Sequence, residues 1–102
     1  LSLVDVHGFP ETFALHQNYP NPFNPSTTIR YDLPEASNVS LIIYDMMGRE
    51  VTTLMSGQVD AGYHFIQWDG TNSIGSSVAA GVYIYTIQAG KHRDVNKMIY
   101  LK

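Results

Sequence analysis

The sequence predicts an all-β domain with antiparallel strands, and three observations carry that prediction. β-Branched and aromatic residues cluster in runs of five to nine, bounded by Gly, Pro, Asn and Asp. No stretch keeps a helical apolar stripe over a useful length. Turn signals recur at short intervals, which favours antiparallel neighbours, because a parallel pair needs a crossover of about a dozen residues or more.

Taken in order, residues 12–16 (TFALH) form a short first run and 27–33 (TTIRYDL) the first long one. A turn at 34–37 (PEAS) leads into 38–45 (NVSLIIYD), where Val39, Leu41 and Ile43 share one face and Ser40, Ile42 and Tyr44 the other. Met47-Gly48 permits a positive φ in a tight hairpin before the run 50–54. Asp60-Ala61-Gly62 opens the run 62–68, which ends on Trp68. The run 82–89 is apolar or aromatic on both faces and is expected to be central. The last run covers 94–101. About seven strands is the number of an immunoglobulin-like antiparallel β-sandwich, and Trp68 with Tyr83, two residues before Tyr85, resembles that fold's buried tryptophan and corner tyrosine.

With 102 residues, 44% hydrophobic and 15% charged, the chain is expected to fold around one modest core. It lacks cysteine, which excludes a disulfide framework and a thiolate metal site. No apolar run is long enough to cross a membrane as a helix, and the front of the sequence reads as carrying no export signal. Charge is uneven. Two basic residues stand against eight acidic ones in 1–90, whereas Lys91, Arg93, Lys97 and Lys102 stand against Asp94 alone in 91–102. The basic cluster reads either as a solvated edge strand whose lysines discourage pairing or as a terminal signal that a partner reads. At net charge −3 it is too small a cluster for nucleic-acid binding.

Catalysis finds little footing. His7, His16, His64 and His92 have no metal-ligand spacing and read as surface histidines. The carboxylates are scattered, and no Gly-x-Ser-x-Gly elbow occurs. The stretch 70–77 (GTNSIGSS) copies a phosphate loop only superficially, since Ser76 replaces the lysine and no helix follows. It reads as a hairpin-like turn with Asp69 accepting from its amides, and Asp69 offers a hard oxygen for calcium without an EF-hand pattern. Asn38-Val39-Ser40 matches a glycosylation acceptor but opens an apolar strand and is given no weight. The expectation is a non-catalytic domain without a cofactor.

The stretch NYPNPFNPSTTIRY remains. Pro20, Pro22 and Pro25 each remove a backbone donor, so 18–25 is expected to be a stiff lead-in that runs extended along the domain into the strand near Thr27, pinned by Tyr19 and Phe23. Asn21 and Asn24, each before a proline, keep side-chain amides free to bond backbone.

Together with FALHQNYPNPFNPSTTIRYDLP (13–34), the blocks VSLIIYDMMGREV (39–51), GYHFIQWDGTNSIG (62–75), AAGVYIYTIQAG (79–90) and KMIYLK (97–102) resemble, in order, the C-terminal sorting domain of type IX secretion substrates. They also resemble the related immunoglobulin-like domain of flagellar hook-capping proteins. The resemblance implies a linker or processing region at 1–12 and a sorting sandwich at 13–102. It implies a domain that directs a larger exported cargo through the periplasm and outer membrane, to be secreted or held at the cell surface. The implied partners are the type IX outer-membrane translocon, sortase components and an N-terminal cargo domain of the same precursor. Lys97, Met98, Ile99, Tyr100, Leu101 and Lys102 match the translocation signal. Pro22, Phe23, Asn24, Pro25, Trp68, Asp69, Gly70, Gly81 and Tyr83 match the structural motifs. The alternative is an immunoglobulin-like accessory module that binds a neighbouring domain or carbohydrate, the latter requiring Tyr44, Tyr63, Tyr83, Tyr85 and Tyr100 to be exposed.

Overall fold

A computed structural model describes residues 8–102. Residues 1–7, the larger part of the expected linker region, and with them His7, lie outside the described residues. The strands are β1 (Ala14–Leu15), β2 (Thr27–Leu33), β3 (Ser37–Asp45), β4 (Glu50–Val59), β5 (Gly62–Trp68), β6 (Gly81–Ala89) and β7 (His92–Tyr100). They form a three-stranded sheet ordered β1-β2-β5 and a four-stranded sheet ordered β4-β3-β6-β7, with every strand pair antiparallel. The immunoglobulin-like β-sandwich expected from the sequence is therefore the fold.

Alternation builds the core. Ile29, Tyr31 and Leu33 point inward from β2, Val39, Leu41 and Ile43 from β3, and Tyr83, Tyr85, Ile87 and Ala89 from β6, and all are buried. Each fully buried Leu, Ile or Phe contributes about 1.5–3 kcal/mol relative to an exposed one, so two facing rows suffice for a stable layer. The central position of β6 agrees with its sequence, since its inner side chains are buried and most of the outer ones half-buried.

The strand ends depart from the sequence reading by more than one residue in three strands. β4 runs five residues beyond Leu54, because Ser56, Gly57 and Gln58, which carry no apolar signal, pair with Ser40, Val39 and Asn38 on the edge of β3. β7 starts at His92 and not at Asp94, because Gly90 at φ +57° closes a tight turn that places Ala89 opposite His92. β1 is only two residues long, and the chain continues as a separate bridge between Tyr19 and Thr28.

The proline stretch is part of the sandwich. Phe23 is 1% exposed and forms a parallel bridge with Tyr100, whereas Tyr19, also expected to pin the segment, is 81% exposed. Asn18 is buried, donating through Nδ2 to Thr27 Oγ1 at 2.9 Å and to the Pro20 carbonyl at 3.2 Å. The peptide bonds before Pro20, Pro22 and Pro25 are cis. The segment 18–25 is thus pinned against the sandwich by Phe23, as expected, and not by Tyr19. The physical reason is that Asn18 and Phe23 fill the space between the sheets, which the proline content alone does not reveal.

Candidate functional site

The terminal block alternates from Lys97 to Leu101 and ends on an exposed Lys102. Met98 and Tyr100 are buried, while Lys97, Ile99, Leu101 and Lys102 are exposed, Ile99 by 39% and Leu101 by 50%. Opposite neighbours on β6 extend the outward face, with Val82 facing Ile99 and Ile84 facing Lys97. The Lys102 ammonium lies 5.9 Å from the Tyr100 ring centroid, within cation–π range.

β7 closes its sheet, and its outer edge would ordinarily offer backbone groups to an incoming strand. Along 97–101 that edge is occupied. The Ile99 amide donates to Asn21 Oδ1 at 2.9 Å, the Phe23 amide donates to the Ile99 carbonyl at 3.0 Å, and the Leu101 amide donates to the Phe23 carbonyl at 2.9 Å. Gln17 Nε2 donates to the Lys97 carbonyl at 2.7 Å. The chain's own segment 17–23 thus takes up these backbone groups, and what the block leaves outward is side chains. Of these, Lys97 and Ile99 border a hollow of about 280 Å³ that Gln17, Asn21 and Val82 also line. This lies at the low end for small-molecule pockets and is of a size to take a partner's side chain. Gln17, Asn21 and Val82 were not nominated from the sequence. Asn21 carried a signal, an amide next to proline, whereas Gln17 and Val82 carried none.

The structural motifs meet around Tyr100. Its ring stacks on Phe23 at 5.0 Å and lies 6.2 Å from Trp68, and Trp68 meets Tyr83 edge-on at 5.2 Å. The Tyr83 hydroxyl donates to the Ala79 carbonyl at 2.6 Å, the back-bond of a tyrosine corner. Gly70, at φ +75°, lets the Tyr100 ring pass where a Cβ would stand 2.7 Å from Cζ. Gly81 has φ +153°. Pro22, Asn24 and Pro25 are exposed and hold Phe23 between them. Asp69 accepts from the Thr71 hydroxyl at 2.5 Å, but the loop amides of Ile74 and Ser76 bond Asn72 Oδ1. The organising role expected of Asp69 thus belongs to Asn72, whose side chain sits inside the turn.

Among the described histidines His92 is exposed, as expected, and His16 and His64 are half-buried, and each has a partner. His16 Nε2 donates to Asp32 Oδ2 at 2.8 Å, His64 stacks on Tyr31 at 5.2 Å, and His92 stacks on Phe13 at 4.7 Å. Burial would push the Asp32 carboxyl up, but hydrogen bonds from Arg30 and then His16 outweigh it and hold the group below its ordinary range. Among the described residues no three His, Asp or Glu side chains gather as a metal ion would need. Of the tyrosines required for a carbohydrate platform, Tyr83, Tyr85 and Tyr100 are buried, so that platform does not form.

The family model for the FlgD Ig-like domain matches residues 24–93. Among solved structures, the chain is similar to PorZ, an essential bacterial surface component of the type-IX secretion system of the human oral-microbiomic Porphyromonas gingivalis. The likeness has 21% identity and a TM-score of 0.60, and covers 87% of this chain and 12% of that one. It is also similar to FlgD from P. aeruginosa, at 28% identity and a TM-score of 0.57, covering 72% of this chain and 57% of that one. The chain therefore spans a small part of the first protein and little more than half of the second. No curated protein matches it.

Proposed function

This chain belongs to the FlgD Ig-like domain family, and on that premise we propose that it is a non-catalytic C-terminal sorting domain, which directs a larger exported cargo through the type IX system to the outer membrane and cell surface. Its partners on this reading are the outer-membrane translocon, sortase components that process the precursor, and the cargo domain that precedes it. The observation that carries the reading is the split of the terminal block. Met98 and Tyr100 are locked into the core, so Lys97 and Ile99 are presented outward on β7 beside a hollow, and Leu101 and Lys102 follow exposed just past the strand's end. Preformed side-chain positions reduce the ordering cost of binding, as a signal read by a folded partner needs. A part of PorZ, a component of the type-IX secretion system, has a similar fold, and that likeness supports the reading.

Deleting the block would remove Met98 and Tyr100 from the core and confuse folding with recognition. The test is surface display of a fluorescent cargo with an export signal in a type IX-competent bacterium, comparing the native domain with a Lys97→Ala, Ile99→Ser, Leu101→Ser, Lys102→Ala variant. We expect the variant to fold, by circular dichroism, and to leave the cargo unexposed. Equal display of both proteins would overturn the reading.

A further inference from the structure

The outward face of the three-stranded sheet carries a second arrangement, independent of the terminal block. Strand register sets out three rows across it, Tyr19–Thr28–Gln67, His16–Arg30–Phe65 and Ala14–Asp32–Tyr63. Two aromatic rings stand out of this face, Tyr19 at 81% exposure and Phe65 at 66%. Strand spacing and rise place them about 12 Å apart on the diagonal. Neither ring is needed by the core, and each costs apolar hydration where it stands.

In the row of Phe65 stands Arg30, whose guanidinium is held in one orientation toward the row of Asp32 and Tyr63. Arg30 Nε and Nη2 donate to Asp32 Oδ1 and Oδ2 at 2.9 and 3.1 Å, and its central carbon lies 5.0 Å from the Tyr63 ring centroid. Asp32 is itself buried and fixed by His16. The Nη1 hydrogens of Arg30 are not engaged by these bonds, so a preorganised donor pair remains next to Tyr63. Gln67 adds an exposed amide and Thr28 a hydroxyl.

We propose that this face binds a short oligosaccharide, with sugar rings stacked on Phe65 and Tyr19 and hydrogen-bonded by Arg30 and Gln67. A pyranose offers one apolar C–H face to an aromatic ring and a rim of hydroxyls to donors and acceptors beside it, the pattern these rows supply. The size of the patch points the same way. It measures about 10 by 14 Å from strand spacing and rise, far below the roughly 800 Å² per partner of a stable protein interface. Its rings are also separated by polar side chains, where a protein-binding core would be contiguous and apolar. An acidic sugar would place its carboxylate, and a neutral one a hydroxyl, on the Arg30 edge.

The experiment is a titration of the ¹⁵N-labelled 102-residue chain, followed by NMR, with cellohexaose as the neutral probe and a hexagalacturonate as the acidic one. Saturable shifts at Thr28, Arg30, Phe65 and Gln67 with either probe are expected, and tighter binding of the acidic probe identifies a carboxylate as the group met by Arg30. Phe65→Ala and Tyr19→Ala should each weaken binding about tenfold or more, a difference of about 1.4 kcal/mol. Phe65→Leu, which keeps an apolar side chain but removes the ring face, should weaken it as much and guards against a folding defect in the alanine variant. The proposal is overturned if neither probe gives saturable shifts, or if binding survives Phe65→Leu. It is equally overturned if sedimentation shows self-association through this face that Phe65→Ala abolishes.

Discussion

Phe23 and Tyr100 meet twice, through rings stacked 5.0 Å apart and through a parallel backbone bridge. One contact fills the core and the other covers the edge of β7, so a single residue of the proline segment supports both faces of the terminal block. Phe23→Ala should therefore cost about 3–5 kcal/mol, the range for a buried phenylalanine. Urea denaturation measures it, with Tyr19→Ala as the comparison. The Tyr19 side chain is exposed, and its loss should change stability by no more than about 0.5 kcal/mol.

Gly70 is set by the same ring. An alanine there meets Tyr100 at 2.7 Å and must hold φ near +75°, whereas Gly75, at φ +85°, has nothing within 4 Å of its would-be Cβ. Gly75→Ala should cost only the left-handed backbone term, about 1 kcal/mol. Gly70→Ala should cost that and an overpacking term of about 1–3 kcal/mol. Chemical denaturation of the pair separates the two effects.

Tyr85 is a buried hub whose hydroxyl donates to the His16 carbonyl at 2.7 Å and accepts from the Asn18 amide at 2.8 Å and from Asn96 Nδ2 at 3.3 Å. Tyr85→Phe keeps the ring and strands these partners, at about 1–3 kcal/mol. A fall in Tm of about 5–15 °C is expected by calorimetry.

Asp32 gives the fold an acid limit. A carboxyl held low in the folded state contributes stability that is present above its unfolded value of about 3.9 and lost as pH falls through the folded one. Asp32→Asn should lower stability at neutral pH and flatten its decline between about pH 5 and about pH 2. Asp45, held low first by the Arg49 backbone amide, should leave a residual slope. Urea midpoints across that range for the two proteins provide the check, and parallel curves would contradict the assignment to Asp32.

What the sequence disclosed follows from which forces leave a periodic trace. Val39, Leu41 and Ile43 announce their strand because burial selects every second residue. Ser56 to Gln58 do not, since an edge strand can be held by backbone pairing alone. Tyr19 and Phe23 look alike beside prolines, and which turns inward is decided by the bridge to Thr28 and the bridge to Tyr100, both non-local. Asp69 and Asn72 are equivalent as turn formers on paper, and only the path of the loop puts one inside it. The terminal block was legible as a segment, but the division of its side chains and the covering of its edge by Gln17 and Asn21 were not. Single polar contacts across about eighty residues of sequence separation have no local signature.

The parallel course of the segment 13–23 beside β7 has a mechanical side. Its links to β7, from the Leu15 carbonyl, Gln17, Asn21 and Phe23, lie side by side along a strand whose nine residues span about 27 Å. Tension applied at the front of the domain against its last residues pulls these two segments in opposite directions along their length. All the links then bear the load together in shear, instead of opening one after another as in a hairpin peeled from its end. A load applied across the two ends of the sandwich is thus met by contacts that lie across the pull, and the lifetime of the fold under it is set by their concerted rupture.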